Sequence, residues 1–212
     1  MRIPPVSRAS LAALLVLASG CDGGTGPELG GEYVASLDSP FSAEGAAVIE
    51  LTHPDLRSVR APGRILVARG ASERTLRIVV INPPGTGAGG PITFVVRMAK
   101  GAVPPRAQVL AVSGPDNRVR DFATGYAVRF TRLMEDDVLP GYSPPPGSYP
   151  TPPVPFARLV EPLLPGGAAP FPELVALADR TGNSNDAYDV GDVRGYLLFY
   201  PSAIPAPAPW TR

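Results

Sequence analysis

Oxygen-bearing side chains crowd one stretch of this chain, Asp179-Arg-Thr-Gly-Asn-Ser-Asn-Asp-Ala-Tyr-Asp-Val-Gly-Asp192, where they recur at alternate positions. A hard cation such as calcium takes about six to eight oxygen ligands. A twelve-residue loop gathers them from side chains at positions 1, 3, 5, 9 and 12 and a carbonyl at 7. With Asp192 as position 12, Asp189 falls at 9, the Ala187 carbonyl at 7, Asn185 at 5, Asn183 at 3 and Thr181 at 1. Asp179, two residues upstream, is a substitute for Thr181. Position 6 is Asp186 where a sharp turn favours glycine, and aspartate tolerates a left-handed backbone better than most residues. Few of these ligands are charged, so the spacing predicts a weak calcium site. The same residues also suit a metal-free turn closed by side-chain-to-backbone hydrogen bonds.

Helix-prone segments flank the loop. Phe171 to Asp179 reads as a short helix with Pro172 in its first turn. Val190 to Tyr200 reads as a second, in which Val193, Tyr196, Leu197 and Tyr200 recur at i, i+3, i+4 and i+7 and form one apolar stripe. A helix–loop–helix of this size buries too little surface to stand alone. Its stripe therefore needs a partner, either another protein or the rest of this chain. The run from Asn183 through Tyr188, Asp189 and Asp192 to Leu197 resembles one half of a dockerin. That resemblance implies calcium as the cofactor and docking on a cohesin-type sandwich. Dockerins usually carry two such segments, and this chain has one.

Other candidate chemistry is sparse. His53 is the lone histidine, and neither a nucleophile elbow nor a second metal-binding histidine accompanies it. Gly85-Thr-Gly-Ala-Gly-Gly90 lacks the Lys-Ser/Thr pair of a phosphate cradle and reads as a hairpin loop. Glu135-Asp-Asp137 reads as a solvated boundary. No catalytic constellation emerges, and the expectation is a protein that is not an enzyme.

The body of the chain must position the loop. Glu32–Leu37, Ala46–Thr52, Arg64–Ala68, Thr75–Asn82, Ile92–Met98, Ala107–Ser113 and Tyr126–Arg132 are short segments rich in β-branched and apolar residues. Asp38-Ser-Pro40, Ala61-Pro-Gly63, Asn82-Pro-Pro-Gly85 and Gly114-Pro-Asp-Asn117 punctuate them. Such spacing predicts a mainly β fold, an antiparallel β-sandwich, followed by the small C-terminal helix–loop–helix. Glu44-Gly-Ala-Ala-Val-Ile-Glu-Leu51 and Pro91-Ile-Thr-Phe-Val-Val-Arg97 resemble strands of cohesin-like sandwiches of bacterial surface proteins. A generic immunoglobulin-like sandwich accounts for them equally.

At the start of the chain, Arg2 and Arg8 precede the apolar run Leu11–Leu17, the layout of a targeting segment. Leu17-Ala-Ser-Gly-Cys21 resembles the lipobox of bacterial lipoproteins, which implies lipidation at Cys21. Cys21 is also the single cysteine, so no internal disulfide forms. The expected organisation is a signal peptide over 1–20, a tether over 21–31, a sandwich over 32–135, a Pro-rich linker over 136–169, the dockerin-like unit over 170–201 and a tail over 202–212. Nineteen basic residues balance nineteen acidic ones, which leaves no electrostatic footprint for nucleic acid. The expectation is a lipid-anchored protein of the bacterial cell envelope that serves attachment or scaffolding, with a carbohydrate- or peptide-binding sandwich as the alternative.

Overall fold

The computed structural model describes residues 31–41, 43–83, 91–121, 125–133, 150–204 and 210–211. Cys21, the signal segment, nearly all of the tether, the Gly85–Gly90 loop and Glu135–Asp137 lie outside the described residues. The strands are β1 (Gly31–Asp38), β2 (Ala46–Thr52), β3 (Leu56–Arg60), β4 (Ile65–Gly70), β5 (Thr75–Ile81), β6 (Thr93–Met98), β7 (Arg106–Ser113), β8 (Ala127–Arg132) and β9 (Trp210–Thr211). The helices are α1 (Phe156–Val160), α2 (Pro172–Thr181) and α3 (Val190–Phe199). One sheet runs β8-β1-β6-β3-β9 and the other β4-β5-β2-β7, with every described pairing antiparallel.

The mainly β antiparallel architecture is the one the strand spacing predicts. Tyr33, Ala35 and Leu37 of β1, with Phe94, Val96 and Met98 of β6, meet Ala47, Ile49 and Leu51 of β2 and Leu76, Ile78 and Val80 of β5 in one core. Those positions alternate along each strand because successive side chains point to opposite faces. Charge pairs link strands of the first sheet, Arg60 Nη2 of β3 to Glu32 Oε2 of β1 at 2.6 Å and Arg129 Nη2 of β8 to Asp38 Oδ2 of β1 at 2.7 Å.

The second sheet is apolar on its outer face too. Ala46, Val48, Ile65, Val79 and Ile81 point away from the first core and join a second cluster with Phe156, Leu159, Val160, Leu164, Leu174, Val190, Val193, Tyr196 and Leu197. The helices thus form a third layer on the four-stranded sheet. Ile78-Val-Val-Ile81 is a continuous apolar run for this reason, since both faces of β5 are covered. Each fully buried aliphatic side chain contributes about 1.5–3 kcal/mol, so this layer is part of the fold's stability.

Several boundaries differ from the sequence reading. β3 is an additional strand, short and carrying Arg57 and Arg60 among its five residues, and those charges hid it. Within the expected linker over 136–169, Phe156–Val160 forms α1 and Glu161–Leu163 a 3-10 turn, and Phe156, Leu159, Val160 and Leu164 are buried. Arg69 Nη1 and Nη2 hold Glu161 at 2.9 and 2.6 Å, tying this turn to β4. The Arg69 guanidinium holds Glu161 below the usual carboxylate range. Within the expected tail, Thr211 and Trp210 pair with Ser58 and Val59 of β3. No helix among the described residues is long and apolar enough to cross a membrane.

Candidate functional site

The oxygen-rich stretch forms the α2–α3 loop, and its side chains close it from within. Asp179 Oδ1 accepts from the amides of Asn185 at 2.8 Å and Asp186 at 3.3 Å. Asn185 Oδ1 accepts from the Ala187 amide at 2.9 Å. These bonds accommodate two left-handed residues, Ser184 at φ 55° and Asp186 at φ 62°, the second where the sequence reading required such tolerance. Asp189 caps α3, accepting from Gly191 N at 2.6 Å and Asp192 N at 3.3 Å. Asp192 Oδ2 reciprocates from the Asp189 amide at 2.9 Å and completes a capping box.

Two amides bridge these carboxylates. Asn183 Nδ2 lies 3.3 and 3.1 Å from the two Asp189 oxygens and 3.1 Å from the main-chain oxygen of Asn117. Asn185 Nδ2 donates to Asp189 Oδ2 at 2.9 Å. Asn183 Oδ1 is buried without a hydrogen-bond partner among the described residues. Asp179, Asn183, Asn185, Asp189 and Asp192 therefore share one network. Thr181 stands outside it, because its Oγ1 donates back to the carbonyls of Leu177 and Ala178 at 3.1 and 3.0 Å. Asp179 rather than Thr181 closes the N-terminal side of the loop. Ala187 is exposed.

Burial dominates the electrostatics. Asp192 is fully buried, and that burial, joined by the charges of Asp189 and Asp179, pushes its carboxyl up to about 6 against the opposing pull of two amide donors. Burial also pushes the Tyr188 phenol up, with Asp192 and Asp189 adding to it, while its hydroxyl donates to the Leu159 carbonyl of α1.

The loop is seated on the sandwich through the turn that follows β7. Arg194 of α3, buried, donates from Nη1 to Pro115 O at 2.8 Å and to Asn117 Oδ1. Gly191 packs so closely on this turn that a Cβ would fall 1.8 Å from Asn117 O. The other side of the turn carries Arg120, whose Nε lies 3.4 Å from Glu44 Oε2. Glu44 is buried and accepts from Ser39 Oγ at 2.6 Å and Tyr126 OH at 2.7 Å. Burial and the Glu44 hydrogen bond push Tyr126 up to about 12. The exposed Phe41 ring stacks under Arg120 at 4.7 Å. Beside it opens a cavity of about 510 Å³ lined in part by Asp38, Ser39, Phe41, Glu44 and Arg129.

Sequence reasoning did not single out Asn117, Arg194 or Glu44. Asn117 ended a turn motif and Glu44 opened a strand motif, and neither signal pointed to these contacts. Of the stripe, Val193, Tyr196 and Leu197 are fully buried against this chain's own second sheet, and Tyr200 is half-buried. Tyr196 OH also grips the backbone of Val154, accepting from its amide at 2.9 Å and donating to its carbonyl at 3.0 Å. His53 shapes a local turn, its Nδ1 accepting from the Asp55 amide at 3.0 Å.

The donor chemistry of the loop is all oxygen on the ligand side, as calcium requires. Among the described residues no three acidic, histidine or cysteine side chains converge as a metal cluster. No family model, curated protein or solved structure matches this chain.

Proposed function

We propose that this chain is a non-catalytic attachment or scaffolding lipoprotein of the bacterial cell envelope, anchored through Cys21, whose α2–α3 loop binds calcium weakly. The observation that carries the ion reading is the buried Asn183 Oδ1, unpartnered among the described residues, on the amide whose Nδ2 meets Asp189 and the Asn117 carbonyl. A buried carbonyl oxygen without a partner costs about 1–3 kcal/mol, and a bound cation removes that cost. Asp179, Asn183, Asn185, Asp189, Asp192 and the Ala187 carbonyl are the proposed ligands. The ion would offset the repulsion that Asp189 and Asp179 exert on the buried Asp192 carboxyl. Because the Val193, Tyr196 and Leu197 stripe is already covered in cis, the loop would act as a brace that fixes the helical layer to the sandwich. Partner attachment would then use other surfaces.

Calorimetric titration of calcium into the chain from Asp22 onward tests this reading, beside Asp179→Asn and Asp192→Ala. The expected result is saturable binding in the roughly 0.1–1 mM range, weakened in both variants, with a rise in melting temperature of the parent. Absence of binding at several millimolar calcium would leave the loop as a hydrogen-bonded turn.

A second reading is a carbohydrate- or peptide-binding sandwich. The cavity beside Phe41 favours it, since an exposed ring with convergent carboxylate, hydroxyl and guanidinium groups suits a polar ligand. Saccharide or peptide binding lost in Phe41→Ala with calcium affinity unchanged would select this reading.

A further inference from the structure

The edge of the five-stranded sheet carries an inference that depends on neither the ion nor the lipid anchor. β3 pairs with β6 on one side, and on the other, among the described residues, it receives only Trp210 and Thr211, opposite Val59 and Ser58. β3 is five residues long, so most of its outer edge takes no partner from β9. An unpaired strand edge is a row of amide donors and carbonyl acceptors, the template on which an extended peptide adds as a further strand. This edge demonstrably accepts one, because the chain's own C-terminal segment lies on it antiparallel.

Two paired residues make a marginal ladder, since even a whole isolated hairpin is barely stable in water. Tethering supplies what the ladder lacks. A short connection holds the strand near its acceptor at an effective concentration on the order of millimolar. The connection from Ile204 to Trp210 is five residues. Any second copy carries the same segment and fits the same edge with the same register. At high protein concentration the segment of a second copy competes with the tethered one. Exposed Arg57 and the Arg60–Glu32 pair flank the paired residues and disfavour indiscriminate edge-to-edge association.

We propose that the outer edge of β3 is a strand-acceptor site, closed in cis by Trp210–Thr211 and taken in trans by the same segment of a second copy, giving strand-exchanged pairs.

The test uses the full chain and a variant in which Trp210→Pro and Thr211→Pro remove both amide donors of β9. The probe is a fluorescent peptide spanning Ile204 to Arg212. It is expected to bind the variant saturably and the unaltered chain at least tenfold more weakly, because the tethered strand competes. Light scattering over a concentration series is expected to show the unaltered chain pairing and the variant staying monomeric. The proposal is overturned if the peptide binds neither chain, or binds both equally. It is also overturned if the unaltered chain stays monomeric at the highest soluble concentration. Should the variant fail to fold, hydrogen exchange on the unaltered chain decides. Slowed exchange over Trp210–Thr211, relieved by excess peptide, supports the acceptor edge, and exchange there at the solvent rate overturns it.

Discussion

Asp192 is the residue at which burial and charge conflict most. Its carboxyl is pushed up to about 6, above the ordinary value of 3.8, by burial beside Asp189 and Asp179. Between those two pH values the folded chain holds a proton that the unfolded chain has released. Stability from this group is therefore fully present at low pH and is lost as pH climbs through that window. The whole shift corresponds to about 3 kcal/mol at most. In chelator, the stability of the parent relative to Asp192→Asn is expected to fall by up to that amount between pH 4 and 7, measured by urea unfolding. A pH-independent difference would sink the assignment. Saturating calcium should flatten the curve if the ion reading holds, because the cation favours the ionised carboxylate. Arg194 poses the converse case, a buried cation whose partners are a carbonyl and an amide oxygen rather than a carboxylate. Arg194→Ala leaves Pro115 O and Asn117 Oδ1 without this donor, and a loss of roughly 2–4 kcal/mol is expected by the same unfolding assay. Arg194→Lys should not restore it, because an ammonium lacks the planar fork.

At the scale of elements, α3 is the piece that joins the loop to the sandwich. Its N-terminus is capped by Asp189, its buried face lies on β2 and β7, and its Tyr196 hydroxyl holds the chain that enters α1. Gly195 lets α2 approach, since a Cβ there would lie 2.5 Å from Gly182 Cα and from Thr181 O. Two substitutions separate packing from hydrogen bonding in this element. Leu197→Ala should cost about 2–5 kcal/mol through the cavity it leaves. Tyr196→Phe keeps the ring and should cost about 1–2 kcal/mol through the two lost bonds to Val154. Equal costs in thermal unfolding would contradict this division. The elements themselves were largely legible. Ala46–Thr52 was expected with the bounds it has, and most other strands differ by a residue or two. α1 was not legible, because Pro152, Pro153, Pro155 and Pro162 surround a helix of five residues and composition outweighs so short a pattern.

Across the whole molecule, three layers share the middle sheet. The second core uses the backs of the strands that build the first, so the helical layer and the sandwich do not melt as independent units. One cooperative transition is expected by calorimetry, with calorimetric and van't Hoff enthalpies equal. Two resolved transitions would show that the sandwich stands without its third layer. Removing residues 150–212 should bare Ala46, Val48, Ile65, Val79 and Ile81 as a contiguous apolar face. The shortened chain is then expected to bind a hydrophobic dye or aggregate, as large exposed apolar patches do.

Local chemistry settled what the sequence alone determined. Alternation and turn residues specify short antiparallel strands. The Asp, Asn and Gly content of 179–192 specifies a turn that tolerates a left-handed backbone between two helices, and the spacing of Val193, Tyr196 and Leu197 specifies a face that must be covered. These features depend on neighbours a few residues apart. Tertiary structure decided what covers that face, because β2 and β5 present side chains to two sides and a strand's own pattern does not name the layer opposite. It also decided that Asn183 of the loop, Asn117 of the β7–β8 turn and Arg194 of α3 meet, an encounter 66 and 77 residues apart in sequence. Such contacts arise from the packing of whole layers, and single-sequence spacing carries no record of them.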